Sequence, residues 1–196
     1  MNHKWLWSQF TLFSQASNYT RTCLQVVYHA GCFYRLELFD TDLRLYTVEE
    51  LTDAFIELIC NRQAVTDTDA GHVAALAHDR RDQWARNREQ FFLSSYSEAN
   101  KQFLSTIESA MVFLTLDSTD YGSTDGGDWE QAVLDEYSSA MLTGDGANRW
   151  PDMALNFVVT ANGAVGGNCE HACGDGAEFD HILENFLYVG NPECDV

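Results

Sequence analysis

Positive charge is what this sequence has least of. Its 11 Lys and Arg face 30 Asp and Glu, a formal balance of −19 at neutral pH. That balance argues against nucleic acid and anionic membrane as partners, because both are met by a basic surface. It also leaves little to receive a phosphate-bearing ligand. No apolar run approaches the length of a membrane span. The opening MNHKWLWSQFTLF is aromatic but interrupted by polar residues. It lacks the continuous apolar stretch and small-residue cleavage site of a secretory signal, so an intracellular protein is expected. The six cysteines, at 23, 32, 60, 169, 173 and 194, have no framework spacing. Reduced thiols, mostly buried, are the expectation. Internal repeats and low-complexity linkers are missing. So are a G-x-S-x-G elbow, a G-x-x-x-x-G-K-[ST] loop and H-E-x-x-H, which removes the commonest hydrolase, nucleotide and zinc-protease signatures.

What is present suits one globular domain. The chain has 196 residues, of which 45% are apolar, enough for a real core. Residues 1–21 have no periodicity and read as a poorly ordered lead-in, with the domain proper over 22–196. CLQVVYHAGCFYRLELFD (23–40) is two β-like runs around His29, Ala30 and Gly31, a hairpin. Thr47 with Glu50 predicts a capping box opening a helix whose apolar stripe is Leu51, Phe55, Leu58 and Ile59. Residues 72–78 read as a loop leading into a helix from Asp79. The alternating charges of DRRDQWARNRE (79–89) predict a solvated, ion-paired face. A helix over 97–111 hands over to a strand, Val112 to Leu116. A Gly/Asp/Ser loop (118–128), a helix (129–142) and a turn follow. ALNFVVTANGAVGGNCEH (154–171) is two strands around Asn162-Gly163, the strongest short hairpin signal. Glycines 163, 166 and 167 therefore belong to a hairpin, not a dinucleotide fingerprint. A helix over 177–189 closes the pattern. The fold class is α/β or mixed α+β, a mixed sheet flanked by helices.

The stretch CEHACGDG (169–176) carries the chemistry. His171 ends a strand, where a side chain is well placed for a cleft. An imidazole needs little tuning to act as a base near neutral pH. The small residues Ala172, Cys173, Gly174 and Gly176 leave room for a substrate to approach. Asp175 stands at a helix start, able to cap it. Two other readings stay open on the residues alone: an ordinary strand-end histidine beside a helix cap, and a zinc site from Cys169, His171, Cys173 and Asp175. No second ligand pair accompanies the latter, whereas closed zinc sites draw on two. No metal is therefore expected. His181, on the next helix, reads as a surface residue.

NRWPDMALNFVVTANGAVGGNCEHACGDG (148–176) resembles the carnitine/choline O-acyltransferase family, whose motif runs Asn-Arg-Trp-aromatic-Asp-Lys, a strand hairpin, then Glu-His and a small loop with an acid. The H-x-x-x-D-G within it resembles CoA-dependent acyltransferases more widely. AALAHDRRDQWARNREQF is similar to the family helix with Arg-x-x-Trp-Ala-x-x-Arg. VVYHAGCFYRLELFD and ESAMVFLTLD are similar to its strands. The resemblance spans about residues 22–190. It implies part of the first, histidine-bearing domain of an O-acyltransferase. His171 would be the general base and Asp175 the acid that helps hold it. Glu170, Asn148, Arg149, Trp150 and Asp152 would support the site. Carnitine and acyl-CoA would be the substrates, with CoA a co-substrate and no permanently bound cofactor, in a mitochondrial, peroxisomal or cytoplasmic enzyme of fatty-acid metabolism. Choline acetyltransferase shares the histidine motif and is the alternative within the family. A non-catalytic remnant that binds a partner is the alternative outside it. Pro151 replaces the family's aromatic and Met153 its lysine. The family's CoA lysines and Ser-Thr-Ser oxyanion segment have no counterpart here, so the 196-residue chain by itself is expected to show no transfer, and its unfilled apolar surface to limit solubility.

Overall fold

In the computed structural model, residues 11–13, 24–61, 70–94, 98–121, 130–172 and 174–190 are described. They contain strands β1 (Thr11–Phe13), β2 (Leu24–His29), β3 (Cys32–Glu37), β4 (Val112–Leu116), β5 (Leu155–Val159) and β6 (Val165–Cys169). These form one mixed sheet in the order β1-β3-β2-β4-β5-β6. The hairpins β2–β3 and β5–β6 are antiparallel, while β2–β4 and β4–β5 run parallel. The helices are α1 (Val48–Cys60), α2 (Arg81–Asn87), α3 (Glu98–Glu108), α4 (Gln131–Thr143) and α5 (Gly176–Gly190). The mixed α/β class expected from the sequence is the one observed.

Alternation along the strands sends successive side chains to opposite faces. The register aligns Val26, Phe113 and Asn156 on one face, and Val27, Leu114 and Phe157 on the other. On the first face, Val26, Phe33 and Phe113 pack with Trp84, Phe92, Phe103, Ile107 and Trp150. On the second, Val27, Tyr34 and Leu36 pack with Leu58 and Phe55 of α1. Both hairpins turn where the sequence demands it. Ala30 and Gly31 take φ of 50° and 83°, and Gly163 takes 85°, the left-handed values of tight hairpin turns. The capping box of Thr47 and Glu50 forms as expected.

Several expectations are corrected. Of the lead-in 1–21, only residues 11–13 are described, and they are a strand pairing in parallel with β3. Residues 72–78 belong not to a loop but to a 3-10 helix, Ala70–His78, and Val73, Ala74 and Ala77 are buried in the main core. The helix after it is not uniform: α2 passes into a π-helical segment, Arg88–Leu93, which turns Phe92 into the core. Burial is not the rule among the described cysteines. Of the three described, Cys32 is buried, Cys169 half-buried and Cys60 exposed. The loop 118–128 lies largely outside the described residues, as do Cys23 and Cys194.

Candidate active site

The segment Asn148 to Asp152 forms the site's foundation, and each residue is held by a different element. Arg149 is fully buried. Its guanidinium donates to Asp117 Oδ2 at 3.2 Å and to the Ala140 carbonyl at 2.9 Å. Asp117 follows β4 and Ala140 lies in α4, so one side chain locks the helix to the sheet. Asn148 donates to the same Asp117 carboxylate at 3.4 Å, and its carbonyl accepts from Thr115 Oγ1 at 2.6 Å. A charge without water needs such partners, although the guanidinium Nε meets none among the described residues.

Trp150 is packed edge-on to Trp84 with centroids 5.8 Å apart. Its backbone N–H and carbonyl are both bonded to the amide of Asn156, at 3.1 Å each. Pro151 sits not at a strand entry but in a turn closed by Met153 N–H donating to the Trp150 carbonyl at 2.9 Å. Proline suits the second position of such a turn, which asks no donor of it. Met153 is buried in the main core. Both departures from the family motif are thus absorbed by local packing.

Asp152 faces outward and is tied to α2. Its Oδ2 accepts from Trp84 Nε1 at 2.8 Å, and its Oδ1 pairs with Arg81. The second arm of Arg81 lies 3.8 Å from Glu170 Oε1. Glu170 follows β6, and its Oε2 accepts the Ala172 N–H at 2.8 Å. The rest of the 79–89 charge also pairs as expected, Arg86 with Asp82 and Arg88 with Glu108.

His171 stands between Glu170 and Ala172, at the close of the β5–β6 hairpin. Its side chain is 68% exposed, and its Nδ1 lies 3.6 Å from Asp175 Oδ1. The ring meets Phe179 edge-on with centroids 6.0 Å apart. The expected cap by Asp175 is inverted: its own backbone N–H donates to Glu178 Oε2 at 3.0 Å, so Glu178 ties the first turn of α5 and Asp175 keeps its carboxylate toward the histidine. Cys173, needed for the zinc reading, lies outside the described residues, and among those described no group of three or more His, Cys, Asp or Glu is arranged to hold a metal.

Beside the turn a cleft of about 540 Å³ runs over the edge of β6, between α4 and α5. Phe179 and Cys169 line its near end, and Met141, Phe157, Leu183 and Phe186 its walls. Its glycines are fixed by contact: a Cβ on Gly166 would lie 2.5 Å from Met141 Sδ, and one on Gly167 2.2 Å from the Asn156 carbonyl oxygen. His181 is a surface residue near Glu184.

The structure brings Glu170, His171 and Asp175 together and links them through Arg81 to Asp152. Asn148, Arg149 and Trp150 lie beneath, within the core. Asp117 and Asn156 were given no role by sequence reasoning, and Arg81 entered it only as the first arginine of the Arg-x-x-Trp-Ala-x-x-Arg pattern, with no partner assigned. Asp117 lies 31 to 32 positions from the motif it pairs with.

A family model described as choline/carnitine O-acyltransferase matches residues 12–194. The human carnitine O-palmitoyltransferase 1, liver isoform, is 34% identical over 166 residues, which cover 84% of this chain and 20% of that protein. The human muscle isoform is 35% identical over 161 residues, 82% of this chain and 20% of that protein. The bovine peroxisomal carnitine O-octanoyltransferase is 34% identical over 107 residues, 55% of this chain and 16% of that protein. The chain spans about a fifth of the length of the palmitoyltransferases it matches.

Proposed function

The chain belongs to the choline/carnitine O-acyltransferase family, and on that footing we propose that it carries the histidine half of a site moving an acyl group between CoA and carnitine, with His171 as general base. The observation that carries the proposal is the accessible imidazole at the end of the β5–β6 hairpin, with Asp175 on its Nδ1 side. Nε2 removes the proton from the carnitine hydroxyl. The alkoxide oxygen attacks the thioester carbonyl of acyl-CoA, and the tetrahedral adduct collapses with loss of the CoA thiolate. The imidazolium returns its proton to that sulfur, so the histidine ends as it began and no acyl-enzyme forms. Asp175 orients the ring and stabilises its charged form. Glu170, Asn148, Arg149, Trp150 and Asp152 hold the turn in place. CoA comes and goes as a co-substrate. Carnitine is preferred to choline because the relatives named above are carnitine transferases. Relatives whose names place them in mitochondria or peroxisomes support one of those addresses.

A second reading, a non-catalytic module that binds a partner, is favoured by one observation. Phe186, Leu187, Tyr188 and Val189 of α5 are all more than half exposed, an apolar surface of the kind that marks an interface. Carnitine-dependent release of CoA thiol from acyl-CoA, measured with this segment joined to the family's CoA and oxyanion segments, separates the two. Transfer that falls by about 10²–10⁴-fold in His171→Ala supports the enzyme. Transfer of equal rate in both proteins removes His171 from the mechanism. A chain that binds both substrates and transfers nothing supports the module.

A further inference from the structure

We propose that Arg81 is a positioning residue for the histidine turn, acting on His171 through Glu170. The inference rests on the reading of His171 as the base, but its geometry is independent of that reading. Arg81 begins α2, remote in sequence from the motif, and its guanidinium spans two carboxylates. Asp152 takes one arm and is itself fixed by the Trp84 indole N–H at 2.8 Å, with Trp84 buried in the core. Glu170 Oε1 lies 3.8 Å from the other arm. The remaining oxygen of Glu170 accepts the Ala172 N–H at 2.8 Å. Glu170 and Ala172 flank His171, so this one hydrogen bond sets the turn on which the imidazole rides.

A planar guanidinium with a fixed fork serves this geometry, because it holds two acids at set angles where an ammonium is a point charge. Arg81 is also largely exposed, and exposed ion pairs contribute little to global stability. Its contribution is therefore local. Arg81 tethers the free end of a hairpin, β6, that lies at the edge of the sheet, to a core helix on its other side. A base displaced by a fraction of its hydrogen-bond length loses rate steeply, so the tether acts on catalysis while leaving the fold alone.

Amide hydrogen exchange at Ala172, read by NMR on the 196-residue chain, tests this without requiring turnover. In Arg81→Gln the Ala172 amide is expected to exchange about two- to fivefold faster, the equilibrium factor of one exposed ion pair, with the thermal midpoint unchanged. Arg81→Lys restores part of the protection. Glu170→Gln, which keeps an acceptor oxygen but loses the charge, produces a similar change. The double variant is no worse than either single one, because the two residues act in series. Where transfer is measured, Arg81→Gln lowers kcat about ten- to hundredfold with KM for carnitine and acyl-CoA unchanged. Unchanged exchange at Ala172 in a folded Arg81→Gln protein overturns the proposal, as do additive effects of the two substitutions. If Arg81→Gln does not fold, Arg81→Lys alone decides: protection equal to that of the parent overturns it, and a partial loss supports it. Loss of the base reading is recognised separately, by full transfer in His171→Ala with the Ala172 response intact.

Discussion

The Arg149 side chain has no exposed surface, whereas the His171 side chain is 68% exposed. The two belong to one motif and are built in opposite ways. Around Arg149 the support comes from within the chain: its guanidinium meets Asp117, just past β4, and Ala140 in α4, while Asn156 of β5 bonds the neighbouring Trp150 backbone. Around His171 the supports are few and lie at the surface, and the helix that follows turns Leu187 and Val189 to solvent. The two halves divide the labour. The Asn148–Asp152 segment completes itself and gives the sheet a rigid end. Among the described residues the His171 turn is tied by Glu170, Arg81 and Asp175, and the histidine side chain stays largely exposed.

The largest effect is expected at the buried half. Arg149→Met leaves the Asp117 carboxylate buried without its cation and is expected to lower stability by about 3–5 kcal/mol, read from a urea unfolding midpoint. Asp117→Leu together with Arg149→Met should recover much of that loss, since no lone charge remains. A loss below about 1 kcal/mol in Arg149→Met would mean that the pair does not anchor α4.

A smaller effect is expected from pH. His78 is half-buried beside the Arg149 region, with no hydrogen-bond partner for its Nε2. Burial, with the nearby Arg149 charge also unfavourable, holds its folded pKa below the ordinary value of 6.5. The unfolded chain then takes up the proton first. Stability contributed by the neutral ring is full above about 6.5 and is lost as pH falls toward the lower folded value. Thermal midpoints at pH 7.5 and 5.5 should therefore differ less in His78→Gln than in the parent. Equal differences in the two proteins would contradict this account.

The smallest change in stability is expected at the open half. Leu187→Glu removes an exposed apolar group and should shift the unfolding midpoint by no more than about 0.5 kcal/mol, while reducing self-association by light scattering. A large loss of stability would show that this face of α5 is already packed.

Much of the open half was legible in the sequence, because local rules decide it. Asn162-Gly163 between alternating apolar residues specifies a hairpin, and His171 falls at its end by counting. The stripe Phe179, Ile182, Leu183, Phe186 and Leu187 specifies one face of α5, and all five line the cleft, with Phe179 buried and the other four well exposed. The buried half was less legible, since its logic is long-range. Nothing near Arg149 in the chain points to Asp117, and the pattern that contains Arg81 does not tell which carboxylates it will meet. The 3-10 helix was missed because its core face is made of Val73, Ala74 and Ala77, too small and too closely spaced to draw an apolar stripe of helical period. Its burial is set by the aromatic cluster above it.

The central claim is that the imidazole of His171 is the base of an acyl transfer, and substitution tests it most directly. CoA thiol release from acyl-CoA is followed with and without carnitine, in a protein that joins this segment to the family's CoA and oxyanion segments and in its His171→Ala variant, with binding of both substrates measured alongside. The account predicts a carnitine-dependent rate that falls by about 10²–10⁴-fold in the variant with binding largely kept. A variant that transfers as fast as the parent would contradict it.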